Sequence, residues 1–160
     1  MGQRSFRPPP THFITTLYAI GLGPLVGRLI LLLTTTGRKT GLPRTTPLQY
    51  EEVDGAYYVG SARGVKADWF CNLSANPEVE VQVKSLRFRG IAEPITDPMR
   101  IADFLELRLR RHPTMVGKIL ESEGLPARPD RTQLEAYASK LAMVIIHPEE
   151  LPECAKHSGS

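Results

Sequence analysis

Apolar and polar residues alternate strictly through Glu78-Val79-Glu80-Val81-Gln82-Val83-Lys84, the period of a half-buried strand with Val79, Val81 and Val83 inward. Lys84-Ser85 begins a tight turn into a paired strand over residues 86–95. Residues 29–35 are apolar and then β-branched, which predicts another strand. The glycine-bounded turn 37–41 leads to a strand over 44–51, with Thr46, Leu48 and Tyr50 on one face. Asp54-Gly55 marks a hairpin, with residues 56–61 returning. A last strand is expected over 141–147. Asp68 is expected to cap a short helix, 69–75, which Asn76-Pro77 ends. Asp97-Pro98 opens a helix to about residue 111, and 113–140 mixes helix and loop.

This order gives about six strands joined mostly by hairpins, and hairpins imply antiparallel pairing. A small closed or partly closed barrel with flanking helices fits best. Strand–helix alternation is missing over 29–61, so a parallel nucleotide-binding sheet fits poorly. Residues 1–10 read as a proline-rich tail and 12–22 as a short helix stopped near Gly23-Pro24. The uncharged run 13–27 holds Gly21, Gly23, Pro24 and Gly27 and falls short of the roughly 20 residues that span a bilayer. No cleavage site follows it cleanly. The expectation is a peripheral helix packed on the domain or resting on a membrane surface through residues 12–27. The organisation expected is a tail and apolar helix (1–27), a barrel domain (28–150) and a disordered tail (151–160).

The 160 residues fit one domain, and 41% apolar with 23% charged residues suffices for a core. Cys71 and Cys154 make no disulfide framework, which suggests a reducing, cytoplasmic setting. A net charge of +3 is weak for a nucleic-acid binder, so no nucleic-acid partner is expected. The charge is uneven: residues 1–50 hold six cations and no acid, against 14 cations and 17 acids beyond. A local excess of this kind suggests a site for an anionic group.

Familiar catalytic patterns are missing. The four histidines and two cysteines show no metal-ligand spacing, so no metal is expected. No nucleophile elbow surrounds Ser61, and 37–41 lacks the ending of a phosphate-binding Walker loop. A bound cofactor would then carry any chemistry. Three features converge on one. Gly37-Arg38-Lys39-Thr40-Gly41-Leu42-Pro43-Arg44 offers backbone donors and three cations within seven residues, suited to a phosphate or carboxylate. Gly60-Ser61-Ala62-Arg63-Gly64 ends a strand with small residues and another cation. Asp68-Trp69-Phe70-Cys71-Asn72-Leu73 carries the only Trp, placed to wall a flat ring while Asn72 donates a hydrogen bond.

Together these segments resemble a known family. Leu31-Leu32-Leu33-Thr34-Thr35-Thr36-Gly37-Arg38-Lys39-Thr40-Gly41-Leu42-Pro43-Arg44-Thr45-Thr46-Pro47-Leu48 closely resembles the signature of the deazaflavin (F420)-dependent nitroreductases. Asp68-Trp69-Phe70-Cys71-Asn72-Leu73 with Ala75-Asn76-Pro77, then Val79, Val81 and Val83, resembles their second signature. The resemblance implies a mainly β (α+β) fold: an antiparallel split β-barrel of the FMN-binding type with about six strands and flanking helices. It implies hydride transfer from reduced coenzyme F420, an 8-hydroxy-5-deazaflavin, to an electron-poor small molecule such as a quinone, enone or nitro compound; a monomer or homodimer is expected. FMN or FAD on the same barrel, or a non-enzymatic lipid carrier at a membrane surface, are the alternatives. By position, Arg38, Lys39, Thr40 and Arg44 resemble the holders of the cofactor's phosphate and acidic tail. Thr45, Thr46, Pro47, Leu48 and Gln49 resemble one edge of the ring site, and Gly60, Ser61, Ala62 and Arg63 the other. Asp68, Trp69, Phe70, Cys71 and Asn72 resemble the helix start that closes the pocket. The chain departs from the family at Lys66-Ala67-Asp68, where many members have His-Pro-Ala, and it has no tyrosine over 111–119. Tyr137 and Ser61 are the candidates for a proton donor.

Overall fold

A computed structural model describes residues 30–149. The expected N-terminal helix, its membrane contact and the C-terminal tail lie outside these residues. Six strands close into an antiparallel barrel: β1 (Ile30–Thr36), β2 (Pro43–Val53), β3 (Ala56–Ser61), β4 (Glu78–Val83), β5 (Leu86–Ile95) and β6 (Ala142–Pro148), in the spatial order β1-β2-β3-β6-β5-β4. Helix α1 (Asp68–Ala75) joins β3 to β4; α2 (Pro98–Arg111), α3 (Pro113–Ser122) and α4 (Arg131–Ala138) fill the connection from β5 to β6. Among the described residues no helix is long and apolar enough to cross a membrane.

Local chemistry explains the elements. Asp54 and Gly55 both have positive φ, the conformation that a two-residue hairpin turn demands. Asp97 caps α2 by accepting from the Met99 N–H at 3.0 Å, with Pro98 in the first turn. Asp130 and Gln133 form a reciprocal capping box on α4. One expectation is corrected: Asp68 does not cap α1. Ala67 is the N-cap, Asp68 lies in the first turn, and its carboxylate reaches Arg38 instead.

Two apolar layers share the sheet. Leu31, Leu33, Val59, Val79, Val81, Val83, Val144 and Ile146 fill the barrel, closed at one end by Trp69, Phe70 and Leu73 of α1. Ile95, Met143 and Ile145 face outward and pack under Ile101, Phe104, Leu105, Val116, Leu120 and Leu134 of the helices. Strand β6 is therefore buried on both faces, which explains its continuous apolar run. Gly90 lets β5 pass close to β6: a Cβ there would stand 2.9 Å from the His147 carbonyl oxygen.

Candidate cofactor site

The barrel splits between β2 and β3. The two strands pair from Val53↔Ala56 up to Tyr50↔Val59 and then part. Beyond that point β2 continues against β1 alone, from Gln49↔Ile30 to Pro43↔Thr36, while Gly60 and Ser61 of β3 follow Met143 and Ala142 of β6. The edge of β2 over residues 43–49 thus lacks a strand partner on the β3 side. Pro47, which has no N–H to offer a ladder, is tolerated on such an edge. Thr45–Gln49 lies along one margin of the opening, and Gly60 and Ser61 along the other. Helix α2 backs the split: Phe104 lies beside Gly60, and the Arg108 guanidinium donates to Gln49 Oε1 at 2.7 Å.

The 37–42 turn stands at the barrel end that α1 closes. Gly37 N–H donates to the Leu42 carbonyl and Gly41 N–H to the Gly37 carbonyl, both at 2.8 Å. Gly41 has φ +69°, and a Cβ on Gly37 would stand 2.8 Å from Thr40 Oγ1 and 3.1 Å from the Leu42 oxygen, so both glycines are required for this turn. Arg38 ties the turn to α1. Asn72 Oδ1 accepts from the Arg38 backbone N–H at 3.2 Å and from its Nη1 at 2.8 Å. Arg38 Nη1 also donates to the Asp68 carbonyl and Nη2 to its carboxylate at 3.2 Å. Buried Asn72 completes the link by donating to Thr35 Oγ1. Lys39, Arg44 and Arg63, all exposed, make no ion pair with another described residue.

The remaining expected residues divide. Thr46 and Leu48 alternate with Arg44 and Tyr50 on the barrel side of β2, and Thr45 Oγ1 lies 2.9 Å from Thr34 Oγ1 on the other. Thr40 accepts from the Leu42 N–H within the turn, and Ala62 is exposed. Cys71 Sγ donates to the Val65 carbonyl and pins the 62–67 loop to α1. Ser61 is buried and donates to the Gly64 carbonyl at 2.7 Å, so its hydroxyl proton is engaged. Trp69 is 8% exposed and meets Phe70 edge-on within the barrel core. Tyr137 packs with the outer helical layer.

A charged cluster went unforeseen. Glu51, 4% exposed, lies 3.5 Å from Arg108 Nε, 3.2 Å from Arg111 Nη1 and 3.1 Å from His112 Nε2. Burial pulls the Arg108 pKa below the ordinary guanidinium value, against the opposing attraction of Glu51. The only sequence signal was an acid in the middle of a half-buried strand.

A six-stranded antiparallel barrel that opens between β2 and β3 beside a cation-rich glycine turn is a split β-barrel. The family model for the F420H(2)-dependent quinone reductases matches residues 15–116, and the chain belongs to that family. It is 44% identical over 68 residues to an F420H(2)-dependent quinone reductase of Mycobacterium tuberculosis, a match covering 41% of this chain and 46% of that protein. The matched region thus spans about half of that relative's length. Among solved structures, an F420-H2 dependent reductase superposes with a TM-score of 0.51 at 24% identity, covering 75% of this chain and 95% of that one. A conserved protein of Mycobacterium tuberculosis superposes at 0.53 and 16% identity over 94% of this chain and 87% of its own. These likenesses are of fold.

Proposed function

We propose that this protein is an oxidoreductase that uses reduced F420 to reduce a quinone-like, electron-poor small molecule, with the split between β2 and β3 as the cofactor site. The observation that carries this reading is an unpartnered strand edge next to cations without acid partners. The backbone along Thr45–Gln49 offers hydrogen-bonding groups to the rim of a flat heterocycle. Lys39 and Arg44 beside it, and Arg63 across the split, offer charge to a phosphate and an acidic tail. The bound deazaflavin supplies the hydride. The protein's own work is to orient the ring against the β2 edge and to exclude water with the α1 side chains packed into the barrel end. The family and the relative's name support F420 over FMN as the cofactor, and a quinone over a nitro compound as acceptor.

Titration of the purified protein with F420 and with FMN tests the cofactor. Mixing with reduced F420 and a soluble naphthoquinone, followed by absorbance of the reoxidised cofactor, tests the reaction. Saturable F420 binding with quinone-dependent reoxidation is expected. Binding of FMN without F420 would overturn the reading.

A further inference from the structure

We propose that Arg38, although it is the first cation of the glycine turn, positions the site and does not hold the cofactor's anionic tail. The proposal rests on the deazaflavin reading above. Three observations carry it. The Arg38 guanidinium donates to Asn72 Oδ1 and pairs with the Asp68 carboxylate, so its charge has an acid partner within the protein. Both the backbone and the side chain of Arg38 converge on one oxygen, Asn72 Oδ1, which uses both lone pairs of that acceptor. Asn72 is 4% exposed and joins Thr35, itself 1% exposed, so the link is anchored in the core.

This arrangement fixes the turn against α1 with a bridge from residue 38 to residues 68 and 72. The turn carries Lys39 and leads into Arg44; α1 carries the residues that close the barrel end. Loosening the bridge therefore disturbs both walls of the site. A cation that only held the tail would act on the tail alone. Lys39, adjacent in sequence and without a partner among the described residues, is the natural control.

The test uses two probes: complete F420 and its ring portion without phosphate or acidic tail. Arg38→Ala and Asn72→Ala should each weaken both probes by about tenfold, and the double variant should lose less than the sum of the two singles, because they share the Arg38–Asn72 side-chain bond. Lys39→Ala should weaken complete F420 and leave the ring portion unchanged. Arg38→Lys should restore part of the loss. Without ligand, amide hydrogen exchange over 37–42 should accelerate in Asn72→Ala and stay unchanged in Lys39→Ala. If Arg38→Ala weakens complete F420 but not the ring portion, Arg38 is a tail ligand and the proposal fails. Additive losses in the double variant also overturn it. A wild-type protein that binds neither probe overturns the deazaflavin reading itself.

Discussion

Arg44 ends the barrel-facing row Tyr50, Leu48, Thr46 on β2 and stands at the mouth of the split, exposed and without an acidic partner among the described residues. A charge-assisted hydrogen bond is worth roughly 1.5–3 kcal/mol, so Arg44→Ala should weaken F420 binding by about tenfold to a hundredfold. Isothermal titration of the variant checks this, and unchanged affinity would remove Arg44 from the site. Two other single residues make a pH prediction. Burial raises the Tyr50 and Tyr57 pKa values above that of a free phenol, with nearby Glu52 adding to both and Tyr57 adding to Tyr50. A phenol whose folded pKa exceeds its unfolded value contributes stability that is complete below about pH 10. That stability is lost as pH climbs through the folded pKa values. Denaturant midpoints should therefore fall on the alkaline side, and less steeply in Tyr50→Phe. A midpoint in Tyr50→Phe that falls as steeply as in the wild type would exclude Tyr50 as a cause.

Among the elements, α1 is legible as a short helix that carries the only Trp. The sequence places Trp69 to wall a ring; in the fold it packs into the barrel core beside Phe70, where truncation leaves a cavity. Trp69→Ala should cost about 3–5 kcal/mol. If Trp69 also borders the ring, its emission should fall saturably on adding F420, with a midpoint matching the absorbance isotherm. The strands were readable because alternation reports a one-sided core, as in β4. The long-range polar links were not, since Arg38 meets Asn72 34 positions away and Arg108 meets Gln49 59 positions away. No local pattern encodes such a meeting. The Glu51 cluster that joins β2 to the end of α2 also has unequal members. Removing Glu51 leaves Arg108, 14% exposed, without its acid, whereas removing Arg111, 39% exposed, leaves Glu51 two other partners. Urea unfolding should show Glu51→Ala losing about 3–5 kcal/mol and Arg111→Ala under about 1 kcal/mol. Equal losses would mean that the cluster does not share its charge in this way.

At the scale of the whole molecule, the barrel is unevenly tied. β5 and β6 pair over six positions beneath the helical layer, β1 and β4 over three, and β2 and β3 over four before the split. The sequence pattern indicates antiparallel strands but not where two of them part, because residues 44–51 read as one uninterrupted strand. Amide exchange should expose the difference. In the free protein, the amides of β6 should be slowest, being buried on both faces. The β2 amides over 44–49 that point into the split should exchange faster than those over 50–53, which β3 covers. Adding F420 should then slow exchange over 44–49 and 60–66, the two margins, and leave the Asp54-Gly55 hairpin at the far end unchanged. A ligand that merely stabilised the fold would slow every amide that opens by global unfolding, the β6 core most clearly. Protection confined to the margins therefore reports occupancy of the split. Protection confined to the outer helical layer, around α2 to α4, would place the cofactor elsewhere and break the link between the split and the reaction.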